Sequence, residues 1–209
     1  MEERKQQFVK DIEVARRDGT LDQFYEKYAE LYDEIMSSTG YEEILGYSTT
    51  LLKSHVTIPD PLVLDVGCGT GFSGVFMNRA GFHNVHGTDP SPNSLKEAEK
   101  KGVYSRVFEG LITDTNKLDC ADDTYDAVVC IGTITKGHLE LRPALKEFAR
   151  VTKRGGFLLF TIRNDKLDQV DMMAAMGEWM NEGKLELVSI ENKKYFVDAF
   201  CICCVFKVL

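Results

Sequence analysis

The run Val63-Leu64-Asp65-Val66-Gly67-Cys68-Gly69-Thr70-Gly71, followed by Gly87-Thr88-Asp89, constrains this chain more than any other feature. An apolar stretch runs directly into glycines at alternate positions, and a second short stretch ends in a carboxylate. The pattern predicts a buried strand, a sharp turn opening a helix, and a neighbouring strand that brings an acid to the same edge of a parallel sheet. Glycine permits the turn and lets a ligand approach the backbone without meeting a Cβ. Asp89 follows Gly71 by 18 residues, close to the ~20 expected where an acidic side chain holds ribose hydroxyls. The layout therefore predicts a site for a ligand that carries an adenosine.

Gly69-Thr70-Gly71-Phe72-Ser73-Gly74 also satisfies G-x-G-x-x-G, a pattern of dinucleotide sites. Such a site must receive an anionic pyrophosphate at a helix N-terminus. Here the first strand carries Asp65 into the turn, where a carboxylate repels a pyrophosphate and suits an ammonium group. S-adenosyl-L-methionine has an α-ammonium and a sulfonium and no phosphate, so the charge favours it over NAD.

Several segments together resemble the class I methyltransferases. Val63 to Gly71 is similar to their first motif, and Thr88-Asp89-Pro90-Ser91 to the acidic end of their second strand. Leu118 to Val129 resembles the approach to the fourth strand, and Ala149 to Thr161 the helix, turn and fifth strand that follow. The resemblance implies an α/β, Rossmann-like fold, with a seven-stranded, mostly parallel sheet between helices and an N-terminal helical cap. It also implies a methyl transfer from S-adenosyl-L-methionine that leaves S-adenosyl-L-homocysteine. The run from Tyr125 to His138, with Phe24 to Met36, resembles a narrower group, the methyltransferase-like proteins of the Williams–Beuren syndrome chromosomal region.

A length of 209 residues with 44% hydrophobic content suits one globular α/β domain. A dehydrogenase would ordinarily need a further substrate domain, a second argument against NAD. The formal net charge of −8 disfavours a nucleic-acid partner, which calls for clustered Lys and Arg. Of the cysteines, Cys68 falls in the glycine turn, Cys130 in a strand, and Cys201, Cys203 and Cys204 in an apolar C-terminal strand. They read as buried free thiols, and the last three lack the spacing of a zinc site. The N-terminus is charged and no apolar run approaches the ~20 residues of a membrane span. The expectation is a cytoplasmic protein without membrane or metal, monomeric or homodimeric, acting on a small molecule or a protein side chain.

Periodicity predicts helices over 1–18, 21–36 and 41–54, the second presenting Phe24, Tyr28, Leu31, Tyr32 and Ile35 as one stripe. Residues 1–54 then form the cap and 55–209 the cofactor-binding domain. Strands are expected at 63–66, 125–131 and 157–162, with late strands near 185–189 and 198–207. Ser91 with Pro92 opens a helix that Gly102 closes. Further helices are expected over 142–151 and 165–181.

Methyl transfer is a displacement that needs alignment more than strong acid–base help, so no catalytic triad is sought. Asp65, Gly67, Cys68, Gly69 and Gly71 are expected along the methionine portion, Asp89 at the ribose and Pro90 on the adenine face. Gly110 and Leu111 are assigned to the adenine edge by their backbone groups, with Asp114 as the alternative. Ile131, Gly132 and Thr133 end the fourth strand, where the reacting methyl lies in this fold. His138 follows as a candidate general base, histidine having an unperturbed pKa near neutrality; Lys136 and Glu140 are weaker candidates. The resemblance implies that the N-terminal segment closes over the cofactor, which makes Tyr28 and Tyr32 candidate pocket residues. Met172, Met173, Met176, Trp179 and Met180 read as core, with an acceptor wall as the alternative. Two rival readings are a non-catalytic S-adenosylmethionine-binding regulatory partner and an NAD-dependent oxidoreductase.

Overall fold

The computed structural model describes residues 2–135, 138–167, 171–196 and 198–209. Strands β1 (Val63–Val66), β2 (Val85–Asp89), β3 (Arg106–Glu109), β4 (Tyr125–Cys130), β5 (Thr152–Arg163), β6 (Leu185–Phe196) and β7 (Ala199–Val208) form one seven-stranded sheet in the order β3-β2-β1-β4-β5-β7-β6. The first five are parallel, and β7 runs antiparallel between β5 and β6. From β1 the chain moves outward to β2 and β3, then returns to β4 on the other side of β1. That reversal opens a crevice at the carboxyl ends of β1 and β4, the usual ligand site of such sheets.

Both faces of the sheet are buried, which is why β1 is apolar except at Asp65. On one face Leu64, Val66, Val128, Cys130, Leu158 and Phe160 pack against α7 (Leu141–Val151) and α8 (Met172–Asn181). On the other, Val63, Ala127, Val129 and Leu159 pack against α4 (Glu42–His55), in a cluster that also takes in Phe8 of α1 (Glu2–Asp18) and Phe24 of α2 (Leu21–Tyr28). The N-terminal helices thus share one continuous core with the sheet. Helices α5 (Phe72–Arg79) and α6 (Pro92–Lys100) follow β1 and β2, and Ser91 caps α6 through Ser94 N–H at 3.1 Å. Among the described residues no helix is long and apolar enough to cross a membrane, and all of the cysteines are free.

Four expectations change. The helix expected over 21–36 breaks into α2, a 3-10 turn at Ala29–Leu31 and α3 (Tyr32–Ser37). The tighter turn splits the single stripe: Phe24 and Tyr28 pack edge-to-face with Phe8, with ring centroids 4.9 and 5.0 Å away, while Tyr25 and Tyr32 turn toward the sheet edge. Strand β5 begins at Thr152, because the Gly155-Gly156 turn is absorbed as a bulge between the pairs Tyr125–Thr152 and Ala127–Phe157. Strand β6 runs on to Phe196 as a polar edge whose lysines discourage further pairing. The helix expected over 165–181 is a 3-10 turn at Asn164–Lys166 and then α8, with residues 168–170 outside the described residues.

Tyr104, in the loop after α6, decides where several glycines must stand. A Cβ at Gly71 would lie 3.0 Å from its ring and 3.0 Å from Ala98 Cα, one at Gly87 would lie 3.2 Å from the ring, and one at Gly74 would overlap it. Gly71 also adopts φ +86° at the start of α5. Gly71→Ala should therefore cost about 2–4 kcal/mol, combining left-handed strain with overpacking. Urea denaturation checks this; a midpoint equal to wild type would remove the close approach of Tyr104 from the account.

Candidate active site

A cavity of about 470 Å³ opens at the carboxyl ends of β1, β2 and β4. Val66, Gly67, Cys68, Gly69 and Thr70 form its floor, Asp89, Pro90 and Ser91 one wall, Gly110 and Leu111 another, and Ile131, Gly132 and Thr133 a third. Tyr25, Glu26, Ala29 and Tyr32 cover it from the N-terminal helices, and His138 stands at the fourth-strand side. Most residues singled out in the sequence thus converge on one space. At Gly67 the floor leaves no room for a side chain, since a Cβ there would overlap Thr133.

Three of the expected cofactor residues lie elsewhere. Asp65 is 1% exposed and sits beneath the turn, where its Oδ2 accepts from Ser73 Oγ at 2.5 Å and from Tyr104 Oη at 2.7 Å. Its carboxylate does not line the cavity, so the repulsion of a pyrophosphate cannot be credited to it directly. Gly71 does not line the cavity either; it faces Ala98 and Tyr104. Tyr28 turns away to α1 and donates to Asp11 Oδ2 at 2.8 Å, because the 3-10 turn rotates it off the Tyr25–Tyr32 face. Among the weaker candidates, Asp114 and Glu140 are not lining residues, and Lys136 lies outside the described residues. Met172 and Met176 are core, Met173 is 73% exposed, and none of the methionines of α8 reaches a cavity.

Asp89 is anchored at the rim. Its Oδ2 accepts from Gly69 N–H at 2.9 Å and its Oδ1 from Ser91 N–H at 2.9 Å. Those bonds orient the carboxylate at the edge of the cavity. That arrangement fits a ribose diol, whose hydroxyls need acceptors.

Sequence reasoning missed Glu26, Tyr25 and Tyr41. Glu26 Oε1 accepts from Ser91 Oγ at 2.6 Å and from Asn93 N–H at 3.2 Å, binding α2 to the start of α6 beside Asp89. No spacing rule links residue 26 to residue 91. The cap is also locked at the turn: Thr70 Oγ1 donates to Asp33, and Lys101 Nζ reaches Asp33 at 2.8 Å and the Thr70 carbonyl at 2.5 Å. Tyr41 donates to the Ile131 carbonyl at 3.3 Å, and its hydroxyl and that of Tyr195 close over Gly132.

A second cavity of about 370 Å³ adjoins the first and shares Tyr25, Tyr32, Gly132 and His138 with it. Its other walls come from α1, from Ile134 and Thr135, and from the ends of β5, β6 and β7. The His138 ring centroid lies 5.1 Å from that of Tyr25, at the junction of the two cavities. Among the described residues no group of His, Cys, Asp and Glu could hold a metal ion.

Comparison with known proteins settles the family. A methyltransferase-domain profile matches residues 64–160, the stretch from β1 to β5. Human methyltransferase-like protein 27 is 30% identical over 176 residues, 75% of this chain and 69% of that protein. The chain belongs to the S-adenosylmethionine-dependent methyltransferases. The putative methyltransferase YqeM of Bacillus subtilis is 30% identical over 143 residues, 67% of this chain but only 56% of that protein. In fold, the magnesium protoporphyrin IX methyltransferase of Synechocystis, solved with bound S-adenosylhomocysteine, superimposes with a TM-score of 0.60, at 16% identity over 81% of this chain and 84% of that one. The NAD reading is thereby set aside.

Burial makes Asp65 a titrating element of this methyltransferase. Desolvation raises its pKa from 3.8 to about 6, opposed by the bonds from Ser73 and Tyr104 and aided by the charge of Asp89. A carboxyl whose pKa is raised on folding favours the fold while protonated, so its contribution is present below about pH 4 and is lost as pH rises through 6. The loss is on the order of 3 kcal/mol. Asp65→Asn should cancel that portion of the pH dependence. Stability of wild type minus variant, measured by urea denaturation from pH 4 to 7, should fall across this window, and a flat difference would rule the titration out.

Proposed function

We propose that this chain binds S-adenosylmethionine in the larger cavity and methylates a small molecule held in the smaller one. The observation that carries the reading is the meeting of the two cavities at Gly132 and His138, beside the carboxyl end of β4. The cofactor supplies an electrophilic methyl on a sulfonium, with a good leaving group. The protein's share is then to orient two partners and exclude water, an effect worth roughly 7–11 kcal/mol when alignment is good.

In this reading Asp89 accepts from the ribose hydroxyls, Pro90 lies beside the base, and the backbone of Gly110 and Leu111 faces the adenine edge. Gly67, Cys68 and Gly69 lie along the methionine portion. Tyr25 and Tyr32 take the covering role first assigned to Tyr28 and Tyr32. His138 stands where a general base would collect an acceptor proton. Residues 1–54 act as the cap and 55–209 as the catalytic domain. An acceptor space of about 370 Å³ suits a small molecule, and the net charge of −8 disfavours nucleic acid. Kinship with the Williams–Beuren group is supported by the Tyr-Asp-rich α2–α3 segment that forms this cover.

Calorimetric titration with S-adenosylmethionine, S-adenosylhomocysteine and NAD tests the cofactor assignment: micromolar binding of the first two and none of the third is expected, and binding of NAD alone would overturn it. Asp89→Ala should weaken S-adenosylmethionine binding about 10–100-fold, since charge-assisted hydrogen bonds contribute about 1.5–3 kcal/mol each. The same variant must be shown folded by its melting curve, because Asp89 also holds Gly69 and Ser91. A folded variant with unchanged affinity would take Asp89 out of the site.

A further inference from the structure

The smaller cavity carries a charge pattern that the methyl-transfer reading does not require. Its wall includes Lys5, Arg16, Arg163 and Lys166 against Glu13 and Asp198, on a chain whose net charge is −8. Three of these cations are well covered, their side chains being 26% (Arg16), 24% (Arg163) and 19% (Lys166) exposed. Covering a cation costs free energy unless an anion accompanies it. Among the described residues the pairing is incomplete. Asp165 serves Arg163 at 2.8 Å and Lys166 at 3.7 Å together, so one carboxylate faces two cations.

The guanidinium of Arg163 is also pre-set. Asp165 accepts from its Nε at 2.9 Å and its Nη2 at 2.8 Å, while its plane lies 5.7 Å from the Tyr195 ring and 5.3 Å from the Phe196 ring. That leaves the remaining N–H donors of the fork, a geometry that matches a carboxylate. Arg16 is steadied by one bond, from its Nη1 to Glu13 Oε1 at 2.8 Å. Burial raises the phenol pKa of Tyr25 to about 12, against the opposing charges of Arg16 and Arg163. Aromatic rings of Phe8, Tyr25, Tyr32, Tyr195 and Phe196 line the wall as well, together with aliphatic side chains such as Ile12, Ile35 and Ile134.

We infer that the smaller cavity selects a small acceptor with an apolar body and a carboxylate, the carboxylate being held by Arg163 with Arg16 and Lys166 in support. The inference rests on the proposed function and names its substrate class. Such an acceptor would supply the missing anion while its body lies on the aromatic wall. The positions that supply the cations, in α1, at the last residue of β5 and in the 3-10 turn after it, lie outside the span matched by the family profile.

The test is calorimetry on protein saturated with S-adenosylhomocysteine, using 3-phenylpropionate and octanoate as probes against their neutral amides. Both carboxylates should bind at least tenfold more tightly than the amides. Arg163→Gln should reduce that preference to within about twofold, and Arg163→Lys, which keeps the charge, should retain most of it. S-adenosylhomocysteine affinity should be the same in all three proteins, since Arg163 is not part of the larger cavity. Equal binding of acids and amides, or no binding of either while S-adenosylhomocysteine binds, overturns the acceptor assignment alone. Failure of S-adenosylhomocysteine to bind wild type overturns the cofactor reading and this inference with it.

Discussion

The buried carboxylate of Asp65 is the interaction on which the rest of the site depends. A charge in the middle of the sheet would be costly without partners. Ser73 and Tyr104 provide them, one from the first turn of α5 and the other from the loop after α6. Those bonds tie strand, turn and the next crossover together beneath the cavity floor. The Tyr104 ring fills the space that Gly71, Gly74 and Gly87 leave open. A glycine-rich turn that looks designed only for a ligand is thus also a socket for one aromatic side chain. With the turn held from below, Gly67 and Gly69 present bare backbone to the cavity above.

Asp89 and Glu26 extend the same logic to the rim. Asp89 joins the glycine turn to the start of α6, and Glu26 joins α2 to that same helix start. Asp33, Thr70 and Lys101 close the other side. The cover is therefore fastened by polar bonds to the elements that form the floor, while Phe8, Phe24 and Tyr28 pack it into the core. The two cavities have different origins: the ends of β1, β2 and β4 with the N-terminal helices build most of the larger, and α1 with the ends of β5, β6 and β7 build most of the smaller.

Much of this was legible in the linear chain. Strand β1, its glycine turn, β2 with its terminal acid, and the Ser91-Pro92 helix start are local patterns, and each lies where periodicity and turn chemistry predict. The misplacements share a cause. Asp65 was assigned to the cavity because its position in the chain is adjacent to the turn; which face of the strand it takes depends on Tyr104, 39 residues on. Tyr28 was grouped with Tyr32 by helical spacing, and one 3-10 turn separated them. Strand β6 reads as polar because it is an edge strand, so its length depends on pairing with β7 rather than on its own composition.

By itself, then, the sequence determined the fold class, the parallel sheet with its crevice and the glycine turn at its edge, since these follow from short-range periodicity and from glycines that only one kind of turn demands. Only the tertiary structure decided which carboxylate faces the cavity, which tyrosines cover it, and that a second, cationic space adjoins the first. Those outcomes depend on residues brought together from α1, β5 and the β6–β7 hairpin. No local pattern encodes a contact whose partners are a hundred or more residues apart, because such a contact exists only once the sheet has assembled between them.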